Sequence, residues 1–301
     1  MRRRFAGALI AAAVAGIAFW GQADETASNL ERAQHLGSYR WHEPGDWFGG
    51  LSGFDLTADG ARFVAVTDRA MIVTGRVTRD GAGAVDGVTG LTSAPLQDSK
   101  GKVLTRFNSD AEGVALFPDG RVAVSFEGNA RVMVHKAAHQ PGRFAGNATV
   151  MGKLQGNSGL EALAVDPDGL LVTLPERSGS TTRPFPVWRL DGGQWRPAFQ
   201  IDRQGGFLPV GADYGPDGRL YLLEREFNGF GFASRVRRFP ANAQGVDPGE
   251  VLLTTRTGTH DNLESLAIWQ DAQGRLRATM VSDDNFHLLQ RTELVDYLLP
   301  E

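Results

Sequence analysis

Three glutamates recur at one place in a repeated hairpin pattern. Glu112 in DAEGVALFPDG, Glu161 in SGLEALAVDPDG and Glu264 in NLESLAIW each open a short apolar stretch that runs into a turn. Glu112 and Glu161 stand eight residues before the turn glycines Gly120 and Gly169, whereas Glu264 stands ten before Gly274, a two-residue insertion. Carboxylates brought to equivalent places repel and raise one another's pKa unless a positive charge sits among them. A hard, oxygen-seeking cation such as Ca²⁺ is the natural occupant. Asp110 and Asn262 precede Glu112 and Glu264 by two residues and, with Asn157, add oxygen donors. The expectation is that Glu112, Glu161 and Glu264 ligate a metal and activate water, with Asn157 and Asn262 as further ligands. The competing reading is that the glutamates only cap loops or pair with nearby arginines.

A second set of acids closes each hairpin: Asp68 with Arg69, Glu127, Glu176 with Arg177, Glu224 with Arg225, and Asp283 with Asp284. Acid followed by Arg in three copies reads as an ion-pair ring that stitches repeats together. The last copy, SDDNF, has no compensating Arg and reads either as a turn or as a cation-ready loop. Asp283 and Asn285 therefore join the candidate ligands. His260 and His287 flank the last hairpin, where an imidazole can serve as acid or base, although a lone loop histidine is more often simply solvated.

The elements that must position these residues are hairpins. Between their ends lie PDG, ADG or related turns, in which glycine takes the positive-φ corner and the preceding Asp59, Asp119, Asp168 or Asp217 forms the turn. Two copies, LSGFDLTADGARFVAVTDR (51–69) and LPVGADYGPDGRLYLLERE (208–226), keep the hairpin without the first acid. The turn glycines Gly60, Gly120, Gly169, Gly218 and Gly274 are spaced by 60, 49, 49 and 56 residues. An all-strand repeat of that period is a β-propeller, one sheet of about four strands per period. The wide first gap holds MIVTGRV (71–77) and has room for an extra sheet, so a six-bladed ring is slightly favoured over a five-bladed one. The tail LVDYLL (294–299) is placed to close the ring beside an early strand.

The first residues, MRRRFAGALIAAAVAGIAFWGQADETA, have three arginines, an apolar run from Phe5 to Trp20 and small residues near Ala23. This is the layout of a secretory signal, with a run short of the roughly 20 residues a membrane span needs. Arg2, Arg3 and Phe5 resemble a twin-arginine signal in spacing. The expectation is a leader over 1–23 and a single domain over 24–301, periplasmic or secreted, monomeric and without stable membrane insertion once the leader is removed.

Composition excludes several classes. The chain has no cysteine, hence no disulfide, thiolate metal site or Cys nucleophile. A net charge of −4 argues against nucleic acid, which needs a concentrated basic face. The one basic cluster, Arg235, Arg237 and Arg238, alternates within RVRRF as the solvent side of a strand would. No GxSxG elbow, HExxH pair or glycine-rich phosphate cradle occurs.

Taken together, DAEGVALFPDG with SFEGN, NSGLEALAVDPDG with PER, and DNLESLAIW with SDDNF resemble the phytase-like β-propeller family, whose bacterial members are described as having esterase-like activity. The likeness covers roughly residues 35–299. It implies a six-bladed exported propeller that hydrolyses a small-molecule ester or phosphoester with acidic residues and Ca²⁺. Calcium-dependent propeller phytases also need a basic residue to meet phosphate oxygens. Arg177, Arg225 and Arg69, which follow the strand-end acids, are the candidates, and His260 is a further candidate for substrate contact. Two alternatives stand beside this reading: a non-catalytic propeller that binds a protein, glycan or small molecule, and a calcium-dependent propeller lactonase.

Overall fold

The hairpin turns form as their sequences dictate. Gly60, Gly120, Gly169, Gly218 and Gly274 all have φ between 66° and 88°. The carboxylates of Asp59, Asp119 and Asp217 accept the backbone N–H two residues on. In the third copy Asp166 takes this role, accepting from Asp168 and Leu170, while Asp168 pairs with Arg189.

The structure is a computed structural model that describes residues 33–105, 108–127, 129–146 and 159–301. The expected leader over 1–23 and Asn157 lie outside these. After β1 (Gln34–Arg40), blade one is β2 (Leu51–Leu56), β3 (Arg62–Thr67), β4 (Met71–Arg79) and β5 (Val85–Pro95). Blade two is β6 (Ala111–Leu116), β7 (Val122–Phe126), β8 (Arg131–His135) and β9 (Gly142–Phe144). Blade three is β10 (Ala162–Val165), β11 (Leu171–Leu174), β12 (Phe185–Asp191) and β13 (Gln194–Ile201). Blade four begins with β14 (Leu208–Tyr214), β15 (Leu220–Phe227) and β16 (Phe232–Phe239). The chain then adds β17 (Val246–Asp247) in parallel to β13 of blade three before β18 (Glu250–Thr254) completes blade four. Blade five is β19 (Leu263–Gln270), β20 (Leu276–Ser282) and β21 (Glu293–Leu298), with β1 as its outermost strand.

The described residues thus form an all-β propeller of five blades. The sixth blade allowed for by the wide first gap is not there: MIVTGRV lies within β4, and the rest of the gap is taken by the 11-residue β5 and the connection to β6. The tail closes the ring, because β21 pairs antiparallel with β1, from Gln34 opposite Leu298 to Arg40 opposite Glu293.

A sheet in a propeller is covered on both faces, which explains the near-continuous burial of the inner strand β2 and its neighbours. The apolar cores accordingly lie between blades. Phe54 and Trp269 belong to the core between blades one and five, Leu223 and Met280 to that between four and five, and Val66 with Val124 to that between one and two. Leu163 with Ala115, and Leu222 with Val172, mark the remaining two.

Burial on both faces also overturns the surface reading of RVRRF. Arg237 is fully buried, and Arg235 and Arg238 nearly so. Arg235 and Arg237 do share one side of β16, but that side faces Glu224 on β15, whose carboxylate both guanidinium groups grip at 2.5–2.8 Å. Arg238 pairs with Glu250.

At the closing seam Asp296 on β21 accepts hydrogen bonds from the Val85 N–H at 2.6 Å, Arg79 at 2.9 Å and Thr279 at 2.5 Å. It joins blade five to blade one and is buried. Asp296→Ala leaves the Val85 N–H without its acceptor and the Arg79 guanidinium without its carboxylate partner, and such a loss costs about 3 kcal/mol or more. Urea unfolding should show that loss; a midpoint within error of wild type would remove Asp296 from the closure.

Candidate functional site

The inner strands begin at one mouth of the axial channel, and a shared irregularity aims their first side chains. In β2, β6, β14 and β19 the pairing register slips near the start, between Leu51 and Gly53, Ala111 and Val114, Pro209 and Gly211, and Leu263 and Ser265. A β-bulge inserts an extra residue and re-aims its side chain. The residues at this place are Ser52, Glu112, Val210 and Glu264, with Glu161 directly before β10 as the fifth. The repeat that set the three glutamates in register therefore delivers them to equivalent points about the axis.

The second strand of each blade ends at the same mouth with Asp68, Glu127, Glu176, Arg225 and Asp283. Strand pairing sets this equivalence: Glu224 opposes Pro209 as Phe126 opposes Ala111, so Arg225 corresponds to Glu127. The expected pairing of Glu224 with its own Arg225 is thereby corrected. Glu224 points between blades, and Arg225 takes the channel position. The signal was present in the sequence, since Glu127, Glu176 and Arg225 each lie seven residues past their turn glycines.

Arg225 binds across blades. One terminal nitrogen donates to Glu264 of blade five and to Asn262, and the other reaches Glu176 of blade three at 3.4 Å. Asn262 in turn donates to Glu264 at 2.8 Å, so its oxygen is engaged by Arg225 and is not free for a cation as expected. Arg177 also stands at the mouth, 3.0 Å from Glu176, with its side chain half exposed.

Away from Arg225 the acids crowd together, and Arg69 offsets part of the crowding at Asp68. Carboxylate oxygens of Asp110, Glu112 and Glu127 all lie within 4.8 Å of one another, and Glu127 shares a hydrogen bond with Asp110. Burial, then the charges of Glu161, Glu264, Asp110 and Glu127, push Glu112 well up. Burial and the charges of Glu176, Glu264 and Glu127 do the same to Glu161, partly offset by Arg225. Asp283 is pushed up to about 8 by burial and by Glu264, and Asp68 to about 6 by burial, with Asp110 and Glu264 adding to the shift. Among the described residues a buried Asp68 oxygen has no hydrogen-bond partner.

These donors suit a hard cation. Ca²⁺ takes carboxylate oxygens at about 2.3–2.6 Å, so oxygens within 4.8 Å of one another can share one ion. The tightest group differs from the expected one: Asp110 and Glu127 join Glu112, while Glu264 is tied to Arg225 and Glu161 stands beside them.

Two expected members fall elsewhere. His260 is buried against the outer strands of blade five, its Nε2 2.7 Å from the Tyr297 hydroxyl and its ring 5.4 Å from that of His35. Burial depresses it to about 4; it supports the wall and is not with the acids. Asn285 sits in a turn at φ 47°, exposed, its amide 3.4 Å from Gln290. Phe286 beside it is also left-handed and carries the Arg69 guanidinium 3.4 Å above its ring. The SDDNF segment thus contributes Asp283 to the mouth and uses the rest as a strained rim turn.

Residues 46–286 match the sequence family described as phytase-like, esterase-like activity of phytase. No curated protein sequence matches the chain. Among solved structures, the PQQ-bound aldose sugar dehydrogenase of Streptomyces coelicolor is 12% identical, over 86% of this chain and 97% of its own, with a TM-score of 0.46. A gluconolactonase of Xanthomonas campestris is 14% identical over 79% and 69%, TM-score 0.41. A Dyadobacter fermentans protein of unknown function is 10% identical over 87% and 86%, TM-score 0.47.

An acid whose folded pKa is raised stabilises the fold below its ordinary value, and that contribution is lost as pH climbs through the folded value. Asp283, raised from 3.8 to about 8, and Asp68, raised to about 6, place this window between roughly pH 4 and 8. The melting temperature of chelator-treated protein should fall steadily from pH 5 to pH 8. A flat or rising profile in calorimetry would show that the mouth acids carry no mutual strain.

Proposed function

The chain belongs to the phytase-like family over residues 46–286, and from that premise we propose that it is a cation-assisted hydrolase of ester bonds that works at the acidic mouth. The observation that carries the reading is the set of Asp110, Glu112 and Glu127 oxygens within 4.8 Å of one another, beside Glu161. Asp110, Glu112 and Glu127 would hold the ion, with Asp68 and Asp283 close enough to sense the same charge. A bound divalent cation supplies Lewis-acid polarisation and a more acidic water. Glu161 holds or takes a proton at its carboxyl, which burial and the neighbouring acids push well above the usual carboxylate range. Glu264 is fixed by Arg225 and Asn262 and orients the far side of the mouth.

Arg225 favours a carboxylic ester over a phosphoester. Its nitrogens are occupied by Glu264, Asn262 and Glu176, so it positions these acids and has little left to offer a phosphate. The other basic groups, Arg177 paired with Glu176 and Arg69 stacked on Phe286, stand exposed at the rim. A phosphate dianion entering among the acids meets strong repulsion, whereas a neutral ester, lactones included, does not. Export through the amino-terminal leader and action as a monomer belong to the same proposal, and rest on the sequence pattern alone.

Calcium should raise the melting temperature of chelator-treated protein, by about 2.7 kcal/mol of added stability at 100 times its dissociation constant. Glu112→Gln should weaken calcium binding, and Glu161→Gln should lower hydrolysis of p-nitrophenyl butyrate by about 100-fold, the scale of an acid–base contribution. Asp168→Asn, at a turn on the opposite face, should change neither. Melting indifferent to calcium would overturn the cation site, and faster hydrolysis of bis-p-nitrophenyl phosphate than of the butyrate would overturn the ester preference.

A further inference from the structure

The axis has a second opening at the far ends of the inner strands. Its cavity measures about 1220 Å³. Between it and the acidic mouth the inner strands close to a void of about 10 Å³, room for about one water. Glycines make this closure possible: a Cβ on Gly53, Gly113 or Gly211 would lie 2.6–2.8 Å from the carbonyl oxygen of Glu112, Glu161 or Glu264 on the next inner strand. A ligand in the lower cavity is therefore shut off from the upper site.

The wall of this cavity is built by the repeat. Leu56, Leu116, Val165, Tyr214 and Ile268 hold the last or near-last place of the five inner strands and all line it. One residue earlier stand Asp55, Ala115, Ala164, Asp213 and Ala267. Three blades keep alanine here; blades one and four replace it with aspartate, and both aspartates line the cavity. Each is fastened by backbone N–H groups: Asp55 accepts from Leu56 at 2.7 Å and Leu116 at 2.6 Å, and Asp213 from Tyr214 at 2.7 Å and Ile268 at 2.6 Å. Among the described residues no cation acts on either carboxyl. Burial pushes Asp55 up to about 7, and burial with the charge of Asp55 pushes Asp213 well up. The other ionisable groups of the lining are acids or stand at the rim: Asp166 and Asp168 are paired with Arg189, Asp59 is bound into its turn, and Arg62 and Arg76 are exposed.

We propose that this lower cavity binds a small organic monocation, an ammonium group carried on an apolar body. The aliphatic ring of the wall accepts the body, the Asp55 and Asp213 carboxyls face the charge, and the Tyr214 ring is placed for a cation–π contact. An inorganic divalent ion fits poorly, because it needs six or more oxygen ligands and this wall is largely apolar.

The test is calorimetric titration of the full chain with phenethylamine, charged at pH 7, and with 2-phenylethanol, its uncharged isostere. The amine should bind at least about tenfold tighter than the alcohol. Val165→Trp, which narrows the cavity at its wall, should weaken the amine by about tenfold or more, and Glu112→Gln in the upper mouth should leave it within about twofold. If Val165→Trp does not fold, amide NMR shifts of the wild type serve instead, with movement expected at Leu116, Tyr214 and Ile268 and none at Glu112 or Glu161. Equal affinity for amine and alcohol, absence of binding at about 10 mM amine, or a response confined to Glu112→Gln and the upper-mouth amides would each overturn the proposal.

Discussion

Every blade of this protein buries both faces against its neighbours, so no blade is complete until the ring is closed. The apolar cores lie between blades, and each draws residues from two sheets. With no disulfide to hold the chain, closure rests on β21 entering between β20 and β1 and on the Asp296 contacts across the seam. This constraint sets the chemistry as well. Inner strands that meet at Gly53, Gly113 and Gly211 bring their first residues together at one end of the axis and their last residues together at the other.

That convergence concentrates charge at a cost. Glu112, Glu161, Asp68 and Asp283 are all pushed up, and in each case burial is the largest cause. A protein of marginal stability tolerates such a cluster when something else requires it. Arg225 relieves only one side, binding Glu264 and Glu176, and leaves Asp110, Glu112 and Glu127 facing one another. The asymmetry divides the mouth into a side held by the protein's own cation and a side where Asp110, Glu112 and Glu127 face one another.

The hairpins, their turn glycines and the convergence of three glutamates were legible in the sequence because each follows from local patterning repeated at a fixed period. Blade number was not, since MIVTGRV reads equally well as the third strand of one blade or the start of the next, and only lateral pairing decides. Arg225 was visible by counting seven from Gly218, yet the adjacent Glu224 matched the acids at that strand end by type and drew attention one residue away. Burial of RVRRF was hidden for a different reason: alternation marks two faces but does not say that both are covered. His260 shows the same limit, because whether a loop histidine faces solvent or Tyr297 depends on a residue 37 positions away.

The two ends of the axis use one repeat in opposite ways. At the upper mouth the place at the start of the inner strand is acidic in three blades, and Ser52 and Val210 are the exceptions. At the lower end the place before the last wall residue is alanine in three blades, and Asp55 and Asp213 are the exceptions. Small apolar residues there let blades approach closely, so an aspartate costs packing and desolvation that alanine does not. Backbone N–H groups of Leu116 and Ile268, on inner-strand edges without a strand partner at the axis, recover part of that cost. What alanine cannot supply is a carboxyl group, and two of them, set in blades one and four beside the wall of Leu56, Leu116, Val165, Tyr214 and Ile268, distinguish the lower cavity from a mere by-product of ring geometry.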